Sequence, residues 1–259
     1  MRRRDDFATL RESSFARPDG RGRPSPHGLA RRPACQFPHS IANWSMRVLS
    51  RFLAAATDVA HFPAPDLPEI AFLGRSNVGK SSLLNSLVGT KIARTSSTPG
   101  RTRGINFFEI RFAGQPRPEM IFSDLPGYGY AKLSREISQE WPKFIEPYLR
   151  ERPTLALCLA LIDVNVPAQE SDRQLLTFLQ ASQRDFVVVA TKSDRLSNNQ
   201  LRNSLKNLSL EYPGTSLLPY SSTTGTGQAE LWKQIRLAAQ RSTAMQPAKE
   251  QFSIEADSD

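Results

Sequence analysis

Eight consecutive residues, Gly74-Arg75-Ser76-Asn77-Val78-Gly79-Lys80-Ser81, place two glycines, a lysine and a hydroxyl at the spacing that wraps a phosphate chain. Glycine lets the backbone turn tightly, so that successive N–H groups and the positive end of a following helix face one anion. Lys80 can then reach the β- and γ-phosphates, which makes it a catalytic candidate, and the Ser81 hydroxyl can ligate Mg²⁺. The pattern predicts a nucleoside triphosphate site.

Which base is bound is written further along. Thr191-Lys192-Ser193-Asp194 reads as the guanine-selecting [NT]KxD pattern. The Asp194 carboxylate can accept from both guanine N1–H and its exocyclic amine, whereas adenine would leave that carboxylate unpaired. The Lys192 stem would cover the flat base, and Thr191 stands where many GTPases carry Asn. Tyr220-Ser221-Ser222, about 30 residues on, would close the pocket with backbone amides. Asp124-Leu125-Pro126-Gly127 begins 43 residues past Ser81 and reads as the phosphate sensor. Asp124 would hold Mg²⁺ through a water, and the Gly127 N–H would meet the γ-phosphate. Between them, Thr95 to Thr102 is a polar loop. Thr102, rather than Thr98, is expected as its Mg²⁺ ligand, because it leads straight into a strand that can anchor it. Lys80, Thr102 and Gly127 are thus the expected catalytic set. TKSD and the want of a lid-like basic segment argue against an ATP-using or kinase reading.

These segments need elements to hold them. Glu69 to Leu73 reads as a strand and Ser81 to Val88 as a helix with Leu83, Leu84, Leu87 and Val88 on one face. Ile105 to Phe112 and Met120 to Ser123 read as strands joined by a turn-rich segment, and a further short strand ends near Tyr220. Leu155 to Asp163 and Phe186 to Thr191 are continuous apolar runs, as in strands buried on both faces. Helical stretches are expected near Ser134–Arg150, Ala168–Gln180, Asn199–Leu208 and Gly227–Ser242. Alternation of this kind predicts an α/β fold with a mostly parallel six-stranded sheet and helices on both faces.

The chain has 259 residues and a net charge of +9, unevenly spread. Residues 1–60 hold 11 Arg, no Lys and 5 acids, for +6, which leaves +3 for the rest. The high isoelectric point therefore says little about nucleic-acid binding by the folded part. Residues 1 to 45 are rich in Arg, Pro, Ser and Gly without apolar periodicity and are expected to be disordered. They could be a transit peptide, though four acids spoil that pattern; a start codon set too early, with Met46 the true beginning; or a tail that touches RNA phosphates. A polar, acidic tail is expected over 243–259. Cys35 and Cys158 offer neither a disulfide framework nor metal spacing, which fits a reducing cytosol. No apolar run approaches the roughly 20 residues that span a bilayer.

Taken together, GRSNVGKSS, ARTSSTPGRT, DLPGYGYAK and TKSD resemble the EngB (YihA/YsxC) family of ribosome-biogenesis GTPases, in the TrmE-Era-EngA-EngB-Septin-like class. The match runs from about Leu67 to Ala239. The resemblance implies a Ras-like P-loop fold over residues 46–242 with GTP/GDP and Mg²⁺ as ligands; a cytoplasmic location follows from the cysteine usage, and a monomer is the default expectation. The resemblance also implies a part in assembling the large ribosomal subunit, through its rRNA and proteins or its precursor, and in cell division and septation. Carried over, the nucleotide would contact residues 74–81, Gly100, Arg101, Thr102, Arg103, Gly104, Asp124, Leu125, Pro126, Gly127, Thr191, Lys192, Ser193, Asp194, Tyr220, Ser221 and Ser222, with Mg²⁺ on Ser81 and Thr102. Arg103 and Gly104 depart from the residues expected of relatives.

Where many GTPases place Gln after DxxG, this chain has Tyr128. Positioning supplies most of phosphoryl-transfer catalysis, so slow turnover is expected, with a non-hydrolysing GTP-binding recruitment module as the alternative. Asn77 has two readings, a K⁺ ligand as in related GTPases or a former of the turn. Trp141, Pro142 and Phe144 are either helix packing or a partner-facing surface. Lys132, Arg135 and Lys143 are either a solvated face or contacts to rRNA phosphates.

Overall fold

The computed structural model describes residues 47–93, 104–128 and 135–245, with side chains for 47–93, 104–128 and 143–244. The readings of residues 1–45 and of the tail past 245 lie outside these. In chain order the elements are β1 (Val48–Ala56), β2 (Glu69–Gly74), α1 (Lys80–Val88), β3 (Ile105–Phe112), β4 (Met120–Asp124), α2 (Arg135–Glu151) and β5 (Leu155–Asp163). There follow α3 (Glu170–Ala181), β6 (Phe186–Thr191), α4 (Asn198–Glu211), β7 (Leu217–Pro219) and α5 (Gln228–Met245).

One sheet runs in the order β1-β3-β4-β2-β5-β6-β7. Strands β4, β2, β5, β6 and β7 are parallel, while β3 pairs antiparallel with both β4 and β1. The expected α/β architecture with helices on both faces is present, with one correction. The sheet has seven strands, not six, because β1 adds an antiparallel edge. Its residues carry no period-2 alternation: a register shift between Phe52 and Ala54 breaks the pleat, and three alanines follow.

Successive side chains of β2 point to opposite faces, so a strand buried on both is apolar along its length from Ile70 to Leu73. Ile70 and Phe72 enter one core with Leu83, Leu84 and Leu87 of α1 and with Trp232 and Ile235 of α5. Ala71 and Leu73 enter the other with Ile145 and Tyr148 of α2, Leu176 and Leu179 of α3 and Leu208 of α4. Phe144 belongs to this second core, which settles it as packing; the side chains of Trp141 and Pro142 lie outside the described residues.

At the N-terminal end of β2 the fully buried Glu69 carboxylate accepts from Tyr148 Oη (2.9 Å), Arg152 Nε (2.7 Å) and Thr154 Oγ1 (2.7 Å). The Arg152 guanidinium also donates to the Pro63 carbonyl at 2.6 Å. The charge is matched and every carboxylate oxygen is used, which is what makes its burial tolerable. This network fixes α2 and β5 against β2 at the end of the sheet away from the glycine-rich turn.

Candidate active site

The carboxyl ends of β2, β4, β5, β6 and β7 all open on one side of the sheet, the place where open α/β sheets gather ligands. β2 ends at Gly74 and α1 starts at Lys80. Gly79 caps α1 at φ 114°, with no side chain bonded to the helix end. The first-turn N–H groups therefore face outward with the helix dipole behind them, the arrangement an anion needs. Asn77 holds φ 65° and is exposed, so in this structure its backbone forms the turn. Lys80 Nζ donates to the carbonyls of Gly74 (3.1 Å) and Arg75 (3.5 Å). Burial lowers its pKa, and the Asp124 charge works against that fall.

Asp124 ends β4 beside Phe72 of β2 and is only 5% exposed. Its Oδ1 is buried without a hydrogen-bond partner, and burial pushes the carboxyl up to about 6, with Lys80 pulling it down. A desolvated carboxylate oxygen with no donor, next to the start of α1 that carries the Ser81 hydroxyl, is an oxygen-only set suited to a hard divalent cation. Mg²⁺ fits it: Ser81 would ligate directly and Asp124 through a water, and the ion would neutralise charge on the transferring phosphoryl group. Among the described residues no cluster of three His, Cys, Asp or Glu offers a competing metal site.

Leu125 and Pro126 are buried, and they carry the chain to Gly127. A Cβ at Gly127 would stand 2.8 Å from Ser76 Oγ and 3.0 Å from both Lys80 Nζ and the Ser76 Cα, so the glycine lets this loop lie tight against the phosphate turn. The Ser76 N–H donates to the Tyr128 carbonyl at 3.1 Å and closes that contact.

The base-reading segment is tied to the same turn. Thr191 Oγ1 lies 2.7 Å from the Val78 carbonyl and 3.1 Å from that of Ile162. Lys192 Nζ donates to the Asn77 carbonyl (2.8 Å) and pairs with Asp163 (2.7 Å), so its stem crosses the phosphate turn. Lys192 adopts φ 59°, a conformation that side chains avoid unless neighbours enforce it. Here Asn165 Nδ2 donates to its carbonyl (3.2 Å), and the Ser193 N–H donates to the Tyr220 carbonyl (3.2 Å). Asp194 is exposed at the rim.

A family profile described as 50S ribosome-binding GTPase matches residues 69–192. The probable GTP-binding protein EngB of Koribacter versatilis is 61% identical over 194 residues, which span 75% of this chain and 96% of that protein. The chain belongs to the EngB family of GTP-binding proteins. Its counterpart in Acidobacterium capsulatum is 54% identical over 202 residues, covering 77% of this chain and 96% of the relative. The crystal structure of a probable GTP-binding protein EngB shares the fold, with a TM-score of 0.51 at 20% identity over 67% of this chain and 99% of that one. An Aquifex aeolicus Era bound to GDP and aluminium fluoride has a TM-score of 0.53 at 25% identity, over 66% of this chain and 56% of that one. The chain is a GTPase that takes GTP and GDP, so the recruitment-only alternative falls.

Of the residues singled out in this EngB-family sequence, Gly74 to Ser81, Asp124 to Gly127 and Thr191 to Asp194 converge on one site. Gly100, Arg101, Thr102 and Arg103 lie outside the described residues, as do Thr98, Lys132 and the side chain of Arg135. Gly104 is described at the root of that loop; a Cβ there would stand 2.4 Å from the Ala56 carbonyl, so the unusual glycine is what β1 requires. Tyr220-Ser221-Ser222 follows β7, beside the base reader. Tyr220 is buried, with its hydroxyl donating to Ser86 Oγ (3.0 Å) and its N–H to Ala190, while the Ser221 N–H donates to Thr226. Those two amides are used by the fold, and Ser222 alone of the three is exposed.

Sequence reasoning missed Asp163 and Asn165, which orient Lys192; polar residues directly after an apolar buried strand were the available signal. It also missed Asn85, whose side chain accepts from the Ile92 (2.9 Å) and Ala93 (2.8 Å) N–H groups and anchors the first root of the loop that carries Thr102.

Proposed function

We propose that this protein is a slow, Mg²⁺-dependent GTPase switch in the assembly of the large ribosomal subunit, and that normal cell division and septation depend on it. The observation that supports the nucleotide part is the attachment of Thr191 and Lys192 to the carbonyls of Val78 and Asn77, so the segments read as base reader and phosphate grip adjoin. In this reading Lys80 and the α1 N-terminus bind the phosphates, Ser81 and Thr102 ligate Mg²⁺, and Asp194 selects guanine. The ribosomal part is supported by the family profile's description and by membership of the EngB family. A cytoplasmic, monomeric protein fits it, and among the described residues no helix is long and apolar enough to cross a membrane. Residues 1–45 would be a basic extension, 46–242 the G domain and 243–259 a tail.

Slow turnover is supported by Tyr128. At the position where a carboxamide would orient the attacking water, its hydroxyl is instead committed to Asp172 at 3.0 Å. A ribosomal particle would supply the missing group. K⁺ as a second cation on Asn77 is tested by single-turnover hydrolysis in Na⁺ against K⁺; equal rates reject it.

Co-sedimentation with large ribosomal subunits is expected with a non-hydrolysable GTP analogue and not with GDP; equal sedimentation in both would reject the switch. The Asp194→Ala protein is expected to lose its preference for GTP over ATP, read by competition binding, while keeping its fold.

A further inference from the structure

Asp172 lies on α3, outside every phosphate motif, yet it is only 3% exposed. A buried carboxylate needs partners. Asp172 receives the Tyr128 hydroxyl at 3.0 Å and the nearby positive charge of Arg75, whose own Nε is buried without a hydrogen-bond partner. Tyr128 directly follows Gly127 of the sensor, and Arg75 directly follows Gly74 of the phosphate turn. One carboxylate therefore addresses both halves of the site, and the Tyr128 ring is packed in the core that holds α2, α3 and α4.

The consequence is spatial. With Tyr128 anchored and its carbonyl accepting from the Ser76 N–H, Gly127 presses on the phosphate turn so closely that a methyl group in its place would stand 3.0 Å from Lys80 Nζ. A γ-phosphate oxygen approaching Lys80 from that side has to move Gly127. GDP carries no γ-phosphate.

We propose that Asp172, acting through Tyr128, is a positioning residue that latches the sensor loop onto the phosphate turn and biases the site toward GDP. The inference rests on the GTPase reading above. A contact made in only one of two states shifts the affinity of the ligand that selects the other.

The test uses the full chain. Affinities for GDP and for the GTP analogue GDPNP are measured with Mg²⁺ in the natural protein and in Tyr128→Phe, Asp172→Ala and Asp172→Asn. Loss of one buried hydrogen bond to a charged group should tighten GDPNP relative to GDP by about tenfold in Tyr128→Phe and Asp172→Ala. Asp172→Asn keeps an acceptor and should keep the natural ratio. A mere packing anchor would lower the melting temperature and weaken both nucleotides in step, so an unchanged ratio in Tyr128→Phe overturns the proposal. A shift in Asp172→Asn as large as in Asp172→Ala also overturns it. Should Asp172→Ala fail to fold, Tyr128→Phe still decides. Failure of the underlying reading would look different: the natural protein would bind neither nucleotide.

Discussion

At the scale of single residues, the site holds a strained pair of charges. Asp124 was legible as a cation holder because it ends an apolar run ahead of Leu-Pro-Gly. Its desolvation was not legible, since that depends on Phe72, a neighbour 52 positions earlier brought alongside by strand pairing. With its folded pKa raised from 3.8 to about 6, the group favours the protonated form in the folded protein. Its contribution to stability is thus full below the unfolded value and is lost as pH rises through about 6. Asp124→Asn should therefore raise the stability of nucleotide-free protein at pH 7.5 by on the order of 2 kcal/mol. The gain should shrink toward pH 5, as thermal melts across that range would show. The same variant should lose Mg²⁺-dependent hydrolysis. A variant less stable than the natural protein at pH 7.5 would contradict the account. Thr191 carries the complementary lesson: its short hydroxyl reaches carbonyls of the phosphate turn and of β5, so it ties strand ends together.

At the scale of elements, apolar runs and turn chemistry read well where one physical pattern dominated. β3, β5 and β6 begin and end where their apolar stretches do, and α1 starts directly after the glycine that caps it. β1 was missed because its register shift and alanine run erase the two-residue period, and because what specifies it is the free edge of β3 rather than its own sequence. The Glu69 network was invisible for a related reason, as its members come from two stretches, 63–69 and 148–154, that only the fold brings together. Removing one partner should be costly, since the other charge stays buried. Glu69→Ala should lose about 3–5 kcal/mol in urea unfolding. GDP affinity of the protein that remains folded should be unchanged, because the network sits at the far end of β2. A loss under 1 kcal/mol, or a weakened affinity, would show that the network is either solvated or coupled to the site.

At the scale of the whole molecule, the question is how much of the chain the switch needs. Residues 1–45 carry no apolar periodicity with which to build a core, and the edge of the sheet is closed by β1, whose Val48 and Ala56 are buried. Ala56 also meets Gly104, so β1 braces the second root of the loop that carries Thr102, as Asn85 braces the first. A chain beginning at Met46 should therefore melt within about 2 °C of the full protein, no more than the shift that 1 kcal/mol produces. A chain beginning at Thr57 should behave differently. It uncovers Phe108 and Phe112 on β3, forfeits roughly 1.5–3 kcal/mol for each large apolar side chain returned to water, and leaves a row of unpaired backbone groups on an open edge. It should melt many degrees lower, aggregate on heating and bind GDPNP less tightly, since one root of the Thr102 loop has lost its brace. Melting curves, light scattering and nucleotide titration on the two shortened chains read all three effects. Equal midpoints for both would remove β1 from the stability of the sheet, and equal GDPNP affinities would remove it from the switch.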